Sequence, residues 1–278
     1  MVKMWWMVCL LGWASLWAQE RLADFQNRVD GYYQYLTQSD IQNFSCSITT
    51  ASYIEYMKSR QDTVHLYPLR FTWMRDGRAF YILQALPEFK DENDRQEVLT
   101  RIQEVKRIFQ GIFMDWQKYN IYSPVREFTE NARFRAGTDT VAIVDRLLEG
   151  DQEIIIHKTY TRAGLLVRDI WQSGDLKIVN YPLFQEVDGR WVCLGWRSQI
   201  YQKGEVTSGM DVRMELVRRE GQWMPIQFDI LAQSRELGDQ QVLTQIFLKD
   251  YVFNQDIQIR YPAAQADTTA REPAPEQQ

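Results

Sequence analysis

The chain has 278 residues, 45% of them hydrophobic, with 32 Lys+Arg against 37 Asp+Glu and a formal net charge of −5. That apolar share supports a packed core and excludes wholesale disorder, while the mild acidity lacks the basic surface that displaces counterions from phosphate, so no nucleic-acid partner is expected. Three Cys and two His are too few for a zinc array or a disulfide scaffold.

In chain order, the first feature is a targeting segment. Four of the ten Trp (Trp5, Trp6, Trp13 and Trp17) lie in residues 1–18, where Lys3 precedes an acid-free apolar run. The run has the length of a signal-peptide core, and Ala18 before Gln19 is a plausible cleavage point. Charges at Glu20 and Arg21 close it short of the ~20 apolar residues that a membrane span requires. Cys9 sits inside the run without the small residues that precede a lipidation site. The expectation is an exported, periplasmic protein, soluble after cleavage, with 31 basic against 37 acidic side chains remaining. Cys46 and Cys193 would then meet an oxidising compartment, either paired or as buried free thiols.

Residues 262–278 hold three of the eight Pro and no large apolar side chain, which reads as a disordered tail. Residues 19–261 contain no Gly/Ser/Pro-rich linker and are expected to form one domain.

That domain begins with a helix, since Leu22, Phe25, Val29, Tyr32 and Leu36 recur at helical spacing and end near Gln38. Alternation at Phe44, Cys46 and Ile48 predicts a strand, and residues 63–74 a second, joined through an Asp76-Gly77 hairpin to residues 78–84. A long second helix is predicted over residues 91–118. Val98, Ile102, Val105, Phe109, Ile112 and Trp116 form its apolar stripe, with acidic residues at its start. Gly111 within it suggests a bend or a close contact. From Val125 onward the chain reads as a β-meander whose joints carry glycine, from Gly150 to Gly221. The fold class is therefore α+β, mainly β: about eleven antiparallel strands that must curl or close.

The late strands show their faces. Met210, Val212, Met214 and Leu216 alternate with charged residues, and Met224, Ile226, Phe228 and Ile230 form a second apolar row. One apolar face of eleven strands exceeds what two helices hide. Either the sheet folds on itself or a hydrophobic concavity remains.

Catalytic motifs are absent: no nucleophile elbow, phosphate loop, dinucleotide fingerprint or zinc-binding His pair occurs. His65 and His157 fall in predicted strands as structural residues. The carboxylates are scattered, so a hydrolase with a dispersed site has no local support. Arg70-Phe71-Thr72-Trp73 and Trp196-Arg197 interleave basic and aromatic residues, but such residues are good strand formers in any case. Asn43-Phe44-Ser45 matches a glycosylation sequon, a short and weak pattern.

The outline of an exported chain with an early helix, a long covering helix and a terminal meander resembles the LolA/LolB-like superfamily of periplasmic lipoprotein carriers. The Trp223-Met224-Pro225 strand and the last strand, with Leu248-Lys249-Asp250-Tyr251 and nearby Asn254, carry the likeness. The resemblance implies an unclosed half-barrel whose helices cover a cavity for acyl chains. It also implies a strand arginine that holds the cover by bonding backbone groups, for which Arg70 and Arg75 stand near the comparable strands.

The expected function is a non-catalytic carrier of lipid or lipoprotein acyl chains, without cofactor or metal, exchanging with membrane-associated donor and acceptor proteins. The cavity lining would be Met210, Val212, Met214, Leu216, Ile226, Phe228 and Ile230, with Val98, Ile102, Val105 and Phe109 on the covering helix. The alternative is an envelope scaffold or sensor whose concavity is filled by its own helix.

Overall fold

A computed structural model describes residues 21–235 and 240–256. The expected targeting segment and the C-terminal tail lie outside these residues. Twelve antiparallel strands form one sheet: β1 (Asn43–Thr50), β2 (Leu69–Met74), β3 (Ala79–Leu83), β4 (Arg133–Ala136), β5 (Thr140–Glu149) and β6 (Gln152–Thr161). They are followed by β7 (Leu166–Ser173), β8 (Leu176–Val187), β9 (Arg190–Gln202), β10 (Glu205–Arg219), β11 (Gln222–Ser234) and β12 (Gln241–Phe253). The order across the sheet is β3-β2-β1-β12-β11-β10-β9-β8-β7-β6-β5-β4, so the last strand pairs with the first while β3 and β4 remain as edges. The sheet is an unclosed half-barrel, in keeping with the expected fold class.

The twelfth strand is β4, four residues long and too short to produce an alternation signal. Three further departures have local causes. The first helix, α1 (Leu22–Val29), stops at Val29, where Asp30-Gly31 begins a 3-10 turn, and Tyr32 turns outward. An unanticipated helix, α2 (Ala51–Ser59), follows β1, with the Thr50 side chain accepting from the Tyr53 N–H as its N-cap. The second strand begins only at Leu69, so His65 lies in a loop, its Nδ1 2.8 Å from Asp62, and not in a strand. His157 is in β6 as expected.

The long helix, α3 (Glu92–Trp116), is the third α-helix among the described residues. Asp91 caps it by accepting from the Asp94 N–H at 2.8 Å, and Glu92 and Asp94 lie where the helix dipole favours negative charge. Gly111 faces open space, so it makes no close contact. A π-turn (Gln117–Ile121) ends the helix and aims Tyr119, Asn120 and Ile121 inward.

Two glycines are required by packing. Gly164, with φ +98°, sits in the β6–β7 turn, where a Cβ would lie 2.4 Å from a Val29 methyl; α1 docks there, and Tyr33 donates to the Gly164 carbonyl at 2.7 Å. Gly195 in β9 has φ +152°, and a Cβ there would fall 2.1 Å from the Val212 carbonyl oxygen of the neighbouring strand.

Cys46 and Cys193 are both buried and free. They belong to β1 and β9, which four strand spacings separate, roughly 19 Å along the sheet and beyond disulfide reach. Asn43 of the sequon is buried and exchanges hydrogen bonds with the Gln255 backbone at 2.9 and 3.0 Å, so it is a structural clamp, closed to glycosylation. No helix among the described residues is long and apolar enough to cross a membrane.

Candidate functional site

The lining rows expected on β10 and β11 come together through strand register. Val212 pairs with Ile230 and Met214 with Phe228, and all four are buried on the concave face. Met210 and Leu216 are half-buried and pack against the same cluster. Ile226 does not. The register shifts between Glu215 and Leu216, so Gln227 and Pro225 take consecutive partners and Ile226 is the extra residue of a β-bulge. The cause is Pro225, which has no N–H for a ladder in mid-sheet. Met224 takes the buried place beyond the bulge, and Tyr251 donates to the Pro225 carbonyl at 2.6 Å.

Facing these strands, α3 buries Val98, Ile102, Val105 and Phe109, continued by Ile112, Phe113 and Trp116. Phe109 is fully enclosed, its ring 4.9 Å from Phe71, 6.1 Å from Phe113 and 6.5 Å from Phe228. Trp116 lies 5.9 Å from Phe44 and 6.0 Å from Phe228, edge-on in both cases. The rest of the concave face is covered too: Phe25 of α1 packs on Phe134 and Tyr160, Tyr33 on Phe184 and Trp191, and Tyr119 on Trp196. Helix side chains thus occupy the concavity. Phe44 and Phe71, which complete its aromatic wall, had no site signal in the sequence beyond ordinary strand alternation.

The attachment of α3 is uneven along its length. At its start, Arg60 of the segment after α2 holds the Asp94 carboxylate with both terminal nitrogens, and this pairing drives the Asp94 carboxyl below the usual carboxylate range. At its end, Asp115 meets Lys118 at 2.9 Å and the Asn180 amide at 3.4 Å, Tyr119 donates to Asp169 at 3.1 Å, and Asn120 donates to the Cys193 carbonyl at 3.1 Å. Burial, reinforced by the Asp169 and Asp115 carboxylates, pushes the Tyr119 phenol far up and keeps it a donor. Over residues 95–114, side-chain hydrogen bonds among the described residues stay within the helix and the turn that ends it. Arg101 also pairs with Glu104 on the same helix and Gln117 of the π-turn reaches Met114, and the polar contacts of that stretch with the rest of the fold are Arg101 over the Tyr56 ring and Lys106 over the Tyr81 ring.

The end anchored by the π-turn lies on a polar row that sequence reading missed. Lys158, Asp169, Asn180 and Ser198 are successive cross-strand partners on β6, β7, β8 and β9, all buried. Ser198 donates to Asn180 at 2.6 Å, and Lys158 reaches Glu127 at 3.1 Å and the Pro124 carbonyl at 3.2 Å. Single polar residues in separate strands carry no spacing that would have revealed the row.

Neither arginine considered for fastening the cover bonds α3, and Arg75 lies in the turn after β2. Its guanidinium donates to the carbonyls of Thr37 and Ser39, the latter at 3.0 Å, in the segment that follows α1. Arg70 instead binds the Ser45 hydroxyl at 2.7 Å and the Asp250 carbonyl at 3.4 Å. Asn254 accepts from the Gln42 N–H at 2.7 Å and ties the end of β12 to the start of β1.

Burial pushes both thiols up to about 12, which leaves them protonated and inert. No group of three His, Cys, Asp or Glu side chains gathers at metal-binding distance among the described residues. No protein-family profile, characterised protein or solved structure matches the chain.

Proposed function

We propose that the protein is a non-catalytic carrier of acyl chains from a lipid or lipoprotein, and that α3 yields its place on the concave face to the ligand. One observation carries this reading: the middle of α3 meets the sheet through apolar side chains, while its directional bonds are gathered at the two ends. Apolar contact is non-directional, and each CH₂ buried by a ligand contributes about 0.8 kcal/mol, so an acyl chain can replace helix side chains on the same surface. Met210, Met214 and Met224 lie on that surface, and methionine adapts to chains of variable shape. The resemblance to LolA/LolB-like carriers points the same way, as does the targeting segment expected from the sequence, which would suit transport within the cell envelope between membrane-associated donors and acceptors.

The test is mass spectrometry of whatever remains bound to protein isolated from its native compartment, together with titration by a fluorescent fatty acid. Co-purifying lipid and saturable probe binding are expected. Absence of both sinks the carrier reading.

A second reading, an envelope scaffold with a self-filled interior, is favoured by the ring packing around Phe109. It predicts that the probe does not bind and that α3 stays docked when lipid is added.

A further inference from the structure

The two free edges of the sheet differ. On β4 the edge is four residues long and exposes Arg133 and Arg135, which keep it apart from other strands. β3, by contrast, carries Ala79-Phe80-Tyr81-Ile82-Leu83 without a charge. Its Ile82 is 54% exposed and Leu83 44% exposed.

The register determines which backbone groups of β3 are free. Met74 donates to the Arg78 carbonyl at one end of the β2–β3 pair, and Gln84 to the Pro68 carbonyl at the other. Antiparallel ladders alternate between bonded and non-bonded pairs, so residues 78, 80, 82 and 84 bond to β2, and Ala79, Tyr81 and Leu83 direct their N–H and C=O groups outward. The Tyr81 side chain packs on Phe71 and Phe109 on the concave side, which puts Phe80 and Ile82 on the convex side.

We propose that β3 pairs antiparallel with the β3 of a second copy of this chain, about a two-fold axis through Tyr81. The edge complements itself in this register. Outward-directed residues meet each other, with Tyr81 opposite Tyr81 of the other copy and Ala79 opposite Leu83. On the convex face Phe80 meets Ile82 of the other copy, twice by symmetry, and aromatic–branched pairs are favourable cross-strand neighbours. A shift by one residue would set outward groups against groups already bonded to β2. The pairing buries the exposed Ile82 and Leu83.

The experiment is sedimentation equilibrium over a concentration series, on the wild type, Ile82→Lys and Ala79→Pro. A reversible dimer is expected for the wild type, weakened roughly tenfold or more in each variant. Ala79→Pro removes an N–H that β2 does not use. The double variant Ala79→Cys with Leu83→Cys is expected to cross-link two copies, since bonded partners have Cα atoms about 5.5 Å apart. A wild type that is monomeric at its highest soluble concentration overturns the proposal and leaves the edge to an extended segment of another polypeptide. A dimer that survives both single substitutions and fails to cross-link overturns it as well.

Discussion

Replacing Phe109 with alanine is the sharpest probe of how the concavity is filled. The side chain is fully buried, and its ring lies between Phe71 on the sheet and Phe113 on the same helix, with Phe228 opposite. Truncating a buried phenylalanine costs about 3–5 kcal/mol in lost transfer energy and cavity formation, against a gain in helix propensity of ~0.5 kcal/mol. A loss of about 3–4 kcal/mol is therefore expected, a large share of the ~5–15 kcal/mol that holds a domain together. Urea unfolding followed by the fluorescence of buried Trp73, Trp116 and Trp196 measures it. The dependence on denaturant should be unchanged. Met114, exposed on the same helix, gives the control, because Met114→Ala should stay within about 0.5 kcal/mol of the wild type. A loss below about 1 kcal/mol for Phe109→Ala would refute the claim that this ring fills the interior. Both functional readings share the stability loss. Binding separates them: on the carrier reading the variant binds a fatty-acid probe with altered affinity, and on the scaffold reading neither protein binds it.

Other perturbations test other parts of the molecule. Gly195→Ala should cost at least about 2 kcal/mol in urea unfolding, because its Cβ meets the Val212 carbonyl oxygen and the backbone there cannot retreat; a neutral substitution would mean that β9 and β10 are more loosely paired than described. In a chain lacking residues 1–18, Cys46 and Cys193 should resist Ellman's reagent at pH 8 and react fully on unfolding, with no intact disulfide by mass spectrometry. Acid should destabilise the fold from about pH 4 downward. Burial alone would raise the Asp30 carboxyl, but hydrogen bonds from Ser123, Arg126 and Tyr35 outweigh it and hold the folded value low. Asp94 is lowered by Arg60. A depressed carboxylate stabilises the fold above its unfolded value and loses that contribution as pH falls through the folded one. A urea midpoint that is flat between pH 5 and 2, or as steep in a double Asp30→Asn, Asp94→Asn variant, would contradict this account.

The sequence by itself determined the periodic elements. The helical spacing from Val98 to Trp116, the alternation along β10 and the glycine-bearing hairpin joints are local signals, and each matches the tertiary structure to within a few residues. Short or irregular pieces escaped it. β4 has too few residues to alternate, α2 depends on a cap at Thr50, and the bulge at Ile226 follows from Pro225 meeting a ladder that only the neighbouring strands define. The buried polar row escaped for the same reason. Lys158, Asp169, Asn180 and Ser198 are distant in sequence and become neighbours only when four strands take their register. Whether the concavity was filled or empty also lay beyond the sequence, since an apolar stripe on α3 suits either state. Tertiary packing decided it, because Phe109, Phe113 and Trp116 reach the rings of β1, β2 and β11 and occupy the space between.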